Sequence, residues 1–106
     1  MTEPLGEIGR FAEPSLFILA SLSEGPKHGY AIMTDVEAIS GVPLGPGTLY
    51  GALARLEGRG LIEAQAPEDR RRSYRLTDRG STVLRAQLEL MQGFTRTALA
   101  RLGGER

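Results

Sequence analysis

The sequence contains no cysteine and no tryptophan, and only one histidine. The missing cysteines exclude a disulfide scaffold, thiol catalysis, an iron–sulfur cluster and any cysteine-ligated zinc site. Net charge is absent as well: 13 lysines and arginines balance 13 aspartates and glutamates, so the chain is no diffuse polycation. No stretch approaches the roughly 18 consecutive apolar residues that a membrane-spanning helix needs. The opening MTEPLGEIGRF is acidic, whereas a secretory leader begins with basic residues and continues into an apolar run. A cytoplasmic protein without membrane contact is expected.

What remains is ordinary globular material: 106 residues, 41% hydrophobic and 25% charged, enough for one domain with a modest core and an appended helix. The neutral total hides a segregation. Residues 1–40 hold two basic and six acidic side chains, whereas residues 41–88 hold eight basic and five acidic ones. A basic face can therefore exist within a neutral chain.

Residues 1–12, with two glycines and a proline, read as a loose arm whose Ile8 and Phe11 can dock on a neighbouring surface. Pro14 suits the first turn of a helix, and Leu16, Leu19, Ala20 and Leu22 give it an apolar face that ends near Gly25-Pro26. A second helix is predicted over Gly29–Ile39, with Ile32, Val36 and Ile39 on its buried side. A third starts near Pro46 and turns Leu49, Leu53 and Leu56 inward. The period then changes. Leu61, Ile62, Ala64 and Ala66 suggest a short strand, and Ser73–Thr77 a second with Tyr74 and Leu76 on one face. The polar PEDRRR segment joins them. Three helices followed by a small hairpin make an α+β unit over 13–77 with the arrangement of a winged helix-turn-helix.

The last helix, within 78–106, is predicted to start at Thr77-Asp78, where a side-chain oxygen can cap free N–H groups. It runs to about Leu102. Leu84, Leu88, Met91, Thr95, Ala98 and Leu102 form a mostly apolar stripe that the rest of the chain is too small to cover. A second copy of the chain supplies the missing surface most economically, so this is a dimerisation helix. Thr95 and Ala98 make a weak seam for a regular coiled coil, and Gly93 lowers helix propensity.

Gly45-Pro46-Gly47-Thr48-Leu49-Tyr50 is the strongest local constellation. It opens a helix, so backbone N–H groups point outward at the positive end, where a DNA phosphate can accept them. Thr48 and Tyr50 add hydroxyls, and Gly47 and Gly51 allow close approach. The same pattern also fits a plain turn in which Thr48 caps the helix and Tyr50 packs on the second helix. Arg70, Arg71 and Arg72, with Arg75 just beyond, sit on the hairpin, where guanidinium groups can pair with phosphates or enter a minor groove. A solvated loop has the same composition, and Glu68 and Asp69 offset part of the charge. Arg55 and Arg59 on the third helix are further candidates.

The runs HGYAIMTDVEAISG, PGTLYGALARLEGRGLIEA and RRRSYRLTDRGSTVL, taken in order, resemble the PadR family of bacterial winged-helix regulators over residues 15–84. The resemblance implies a dimeric transcription factor, usually a repressor, bound to palindromic promoter DNA in the nucleoid and released by a small molecule. Gly29 and Tyr30 match the start of the family's second helix. Pro46, Thr48 and Tyr50 match its recognition helix, and Arg72 and Tyr74 the second strand of its wing. The length resembles the short subgroup with one C-terminal dimerisation helix. Two positions depart from the family's pattern: Gly45 stands where serine is common, and Gly51 where proline is common. The absence of tryptophan weakens the similarity to members that sense flat drugs with that side chain.

A small aromatic or hydrophobic effector fits between the last helices and first helices of a dimer, with Phe11, Phe17, Met91 and Phe94 as candidate walls. Ordinary core or interface packing is the alternative, and the favoured, reading of these four residues. No cofactor and no metal site within one chain is expected, since His28 has no carboxylate cluster beside it; packing or hydrogen bonding at the start of the second helix explains it. Catalysis is not expected either: no activated nucleophile or paired carboxylates can be placed, and Gly45-Pro46-Gly47 lacks the lysine of a nucleotide-binding loop. The functional alternative is a protein-interaction module whose basic hairpin meets an acidic partner.

Overall fold

The computed structural model describes residues 14–104; the arm over 1–12, with Ile8 and Phe11, lies outside the described residues. Pro14 opens α1 (Pro14–Leu22), where Ile18, Leu19 and Leu22 are buried, while Leu16 and Phe17 pack against the edge of the core. A turn leads into β1 (Lys27–His28) and directly into α2 (Gly29–Ser40). Lys27 ties these pieces together. Its ammonium donates to the Ser21 carbonyl, and it lies 3.2 Å from Glu24 and 3.8 Å from Asp35.

Ile32 and Val36 of α2 are buried, but Ile39 is 54% exposed and not part of the core face as its spacing suggested. Met33 takes a place against the core instead. The last turn of α2 has run past the core by then, and it ends on Gly41, whose N–H bonds the Glu37 carbonyl at 2.8 Å. Helix α3 (Pro46–Gly58) buries Leu49, Ala52, Leu53 and Leu56, the expected leucine face with one alanine added.

The hairpin consists of β2 (Ile62–Ala64) and β3 (Ser73–Leu76), paired antiparallel with Glu63 opposite Arg75 and Ala64 opposite Tyr74. It is one strand larger than the sequence suggested. β1 pairs with the other edge of β3, Lys27 opposite Tyr74 and His28 opposite Ser73, so the sheet order is β1-β3-β2. Two residues between Pro26 and a helix carry no alternation to read. β2 is also shorter than the Leu61–Ala66 pattern: the Gln65 N–H still bonds the Ser73 carbonyl at 2.9 Å, but Pro67 has no N–H to extend the ladder.

Thr77 joins this unit to α4 (Asp78–Leu102). Its N–H donates to the Leu61 carbonyl at 3.1 Å, and its hydroxyl donates to the Gly60 carbonyl at 2.7 Å while accepting from the Gly80 N–H at 2.9 Å. Gly80 lies so close to β2 that a Cβ there would sit 2.0 Å from the Leu61 carbonyl oxygen. The LT..G spacing is therefore a joint, with the cap and the bare glycine pressing the helix onto the sheet.

Beyond that joint α4 leaves the core. Of its 25 residues only Gly80 and Leu84 are buried, and the molecule extends 56 Å along its longest axis. Leu88, Met91, Leu99 and Leu102 remain exposed on the face continuing from Leu84, with Leu102 84% exposed. Val83, Leu90 and Phe94 form a second exposed apolar face about 100° around the helix.

Candidate nucleic-acid interface

The first turn of α3 is built to leave donors free. Gly45 is its N-cap and makes no side-chain cap bond, and Pro46 has no N–H. The Leu49 N–H takes the Gly45 carbonyl at 2.9 Å, so the N–H groups of Gly47 and Thr48 point outward without an intrahelical acceptor. A Cβ at Gly47 would meet nothing within 4 Å, and one at Gly51 only the Arg55 guanidinium at 3.8 Å. The exposed side of α3 is accordingly low and smooth, with Thr48, Tyr50 and Arg55 rising from it.

Tyr50 leans back over the start of α2. A Cβ at Gly29 would lie 2.5 Å from the Tyr50 hydroxyl oxygen and 3.1 Å from Cζ. Gly29 is buried beneath that ring and offers no side chain of its own; its part is to let the ring close down. This explains why the HGY and PGTLY segments belong together. Tyr30, on the next residue of α2, is 76% exposed, and Tyr50 is 52% exposed.

Tyr30, Tyr50 and Tyr74 line one cleft of about 440 Å³ together with Arg70, Arg71 and Arg72. His28, Gly29 and Ala31 complete its wall, and no carboxylate is among the lining residues. The N-cap of α2, His28, makes no side-chain cap either, so this helix turns its positive end to the same space. The buried Nδ1 of His28 has no hydrogen-bond partner among the described residues. Burial pushes the Tyr74 phenol above its ordinary value of 10.0, with the Arg72 guanidinium opposing and Glu57 and Tyr50 reinforcing the rise. Tyr74 thus stays an uncharged hydroxyl at neutral pH and brings no negative charge to an anion site.

Five expected residues lie outside the cleft lining: Gly47 and Thr48 on the first turn of α3, and Pro46, Arg55 and Arg75. Arg75 points to the opposite face of β3 and pairs with Glu63 across the hairpin at 2.5 Å. Arg55 reaches back along α3 and lines a depression with Leu16, Val83 and Gln87, between α1 and α4. Pro46 shapes the first turn of α3 but lies outside the residues that line the cleft. Among the aromatic effector candidates, Phe17 packs against the core. Met91 lines an open groove of about 980 Å³ along the first face of α4, while Phe94, 74% exposed, lines a separate depression with Gly93, Thr97 and Arg101. A single chain does not bring these three together.

Comparisons with known proteins bear on the family and the fold. Residues 18–86 match the Transcriptional regulator PadR-like family. The chain belongs to that family. PadR-like regulators are DNA-binding proteins without enzymatic activity. The fold is shared with a transcriptional regulator from Clostridium thermocellum, at 28% identity and TM-score 0.76, covering 91% of this chain and 97% of that one. A PadR family regulator from Clostridium difficile matches with the same TM-score at 26% identity, covering 83% of this chain and 96% of that one. A protein of 37.1 kDa in transposon TN4556 of Streptomyces fradiae, itself uncharacterised, is 42% identical over 82 residues. That match covers 77% of this PadR-like chain and 24% of the relative, so the chain spans about a quarter of that protein's length. Among the described residues no helix is long and apolar enough to cross a membrane, and no group of three or more metal-ligating side chains comes together.

Proposed function

We propose that the protein is a homodimeric, effector-responsive transcriptional repressor that binds palindromic promoter DNA. Residues 13–77 are its DNA-reading unit and residues 78–106 its dimerisation helix and tail. The first turn of α3 enters the major groove, with Thr48 and Tyr50 meeting base edges or sugars and the Gly47 and Thr48 N–H groups meeting a phosphate. Tyr30 and the wing arginines hold the backbone strand that bounds the groove. The observation that carries this reading is the convergence of three tyrosines and three arginines in one cleft at the uncapped end of α2. Such a set neutralises phosphates and supplies hydroxyl donors without a competing carboxylate.

The support for dimerisation comes from α4. Its two exposed apolar faces span more of the helix than water favours, and a second copy covers them. Two-fold symmetry then places two recognition helices on successive turns of DNA, about 34–36 Å apart. The groove along Leu84, Leu88, Met91 and Leu99 narrows to a pocket once a partner helix lies over it, and a small hydrophobic effector lodged there changes the angle between the two winged domains. DNA release is then a shift of population between two dimer arrangements. Selection of genomic duplex fragments by the purified dimer tests the reading. Enrichment of a palindromic promoter site is expected; a folded dimer that enriches nothing contradicts it and favours a protein-interaction role for the basic wing.

A further inference from the structure

Lysine is among the residues least often buried, yet the side chain of Lys27 is only 15% exposed. Its ammonium donates to the Ser21 carbonyl near the end of α1. Glu24, in the turn after α1, lies 3.2 Å away, and Asp35, in the middle of α2, lies 3.8 Å away. One cation thus ties three separate pieces of chain. Taking an ammonium out of water is costly, and an apolar side chain fills such a space without that cost; the best-attested use of a buried charge is to fix a register.

The register at stake is that of β1. This strand is two residues long and lies on an edge of the sheet, with Lys27 opposite Tyr74 and His28 opposite Ser73. A slip of one residue would move it about 3.3 Å along β3 and turn its side chains to the other face, taking Lys27 away from Asp35 and the Ser21 carbonyl. α2 follows β1 without a residue between them, so the same slip carries Gly29 and Tyr30 past the wing. Little at the start of α2 resists it. Its N-cap, His28, makes no side-chain cap bond, and the buried Nδ1 of His28 has no partner among the described residues. A hydroxyl that meets a phosphate oxygen at about 2.8 Å loses that bond after a shift of this size.

We propose that Lys27 is a positioning residue for the DNA cleft: by holding Ser21, Glu24 and Asp35 together it pins the register of β1 on β3, and so sets the gap between Tyr30 on α2 and the wing arginines. Lys27 itself is not among the residues that line the cleft. The proposal rests on the DNA-binding reading above, but one of its readouts needs no DNA. All three tyrosines of the chain line the cleft, and the chain has no tryptophan. Near-ultraviolet circular dichroism of tyrosine, which follows fixed side-chain packing, therefore reports on the cleft.

Lys27→Met, Asp35→Asn and the double variant are compared with the unsubstituted protein, well below their melting temperatures, by that signal and by titration of an enriched duplex over a range of salt concentrations. Lys27→Met is expected to alter the tyrosine signal and to weaken binding about tenfold at every salt concentration, with the slope against the logarithm of salt unchanged because no phosphate contact is removed. Asp35→Asn leaves Lys27 its other two partners and weakens binding about threefold. The double variant binds as Lys27→Met does, since both changes act through one contact. A Lys27→Met protein with the parent's signal and affinity overturns the proposal. So does a slope lowered by about one, which makes Lys27 a phosphate contact, and so do losses that multiply in the double variant. If Lys27→Met does not fold, Asp35→Asn decides: the threefold loss with an altered signal supports the proposal, and parental values overturn it. A parent protein that binds no duplex overturns the DNA-binding reading, and the tyrosine signal of Lys27→Met then decides the positioning role by itself.

Discussion

Replacing Gly80 by alanine is expected to damage the joint between the winged unit and α4 more than a single added methyl group suggests. The new Cβ would lie 2.0 Å from the Leu61 oxygen, 3.0 Å from the Leu61 carbonyl carbon and 2.9 Å from Leu76 Cδ1. The leucine tip can rotate aside. The carbonyl cannot, because it accepts the Thr77 N–H at the very start of β2. Relief requires about 1 Å or more of backbone movement, which strains the Thr77 cap at 2.9 Å and the Thr77 bond to Gly60 at 2.7 Å. Overpacking costs about 1–3 kcal/mol, and loss of the cap about 1 kcal/mol more. The better helix propensity of alanine returns about 1 kcal/mol. A net loss of about 1–3 kcal/mol corresponds to about 4–24 °C in melting temperature for a chain of this size. Thermal melts followed by circular dichroism at fixed protein concentration measure it. Gly58→Ala is the control, since it is exposed near the end of α3 with nothing within 4 Å of the added carbon, and it is expected to hold or slightly raise stability. A Gly80→Ala protein as stable as the control would refute the account of this joint.

Gly29→Ala places a Cβ against the flexible end of Tyr50, so folding is expected to change by under about 1 kcal/mol while the displaced ring weakens DNA binding; melts and fluorescence anisotropy read the two separately. Arg75→Ala breaks an exposed pair with Glu63, and stability is expected to fall by no more than about 1 kcal/mol, with DNA affinity reduced far less than by Arg71→Ala. The raised Tyr74 value means that its neutral form is favoured in the fold. That stabilisation is complete below pH 10.0 and is lost as pH rises through the folded value. Tyr74→Phe is expected to flatten the alkaline part of a stability–pH curve, and an unchanged slope above pH 10.0 counts against the burial argument.

The helices were legible because their leucines and isoleucines recur at helical spacing, and the recognition segment because glycine, proline and threonine together mark a helix start. Ile39 kept the spacing but not the burial, since periodicity says which side faces inward and not how far the core reaches. β1 was invisible for a different reason: two residues cannot alternate, and only the open edge of β3 makes Lys27 and His28 a strand. Among site residues, Thr48, Tyr50 and the arginine run announced their chemistry. The meeting of Tyr50 and the arginine run with Tyr30 depends on how α2 starts under the Tyr50 ring, a tertiary fact with no local signature beyond Gly29. Arg55 and Arg75 look equivalent to the wing arginines in sequence; strand alternation and the Glu63 partner separate Arg75 from them, and its direction along α3 separates Arg55. The second apolar face of α4, through Leu90 and Phe94, lies outside the stripe that runs from Leu84 to Leu102, because one period of threes and fours follows only one side of a helix.

Duplex binding as a function of salt, measured for the unsubstituted protein and for Tyr30→Ala, tests the central claim most directly. Tyr30 is 76% exposed, so its removal leaves folding nearly intact and reports on the cleft alone. The account predicts an affinity that falls linearly with the logarithm of salt concentration. It further predicts a loss of about tenfold for Tyr30→Ala at every salt concentration, the scale of one hydrogen bond to a charged group, with an unchanged melting temperature. Binding that ignores salt, or a Tyr30→Ala protein that binds as tightly as its parent, would contradict the assignment of the tyrosine–arginine cleft to DNA.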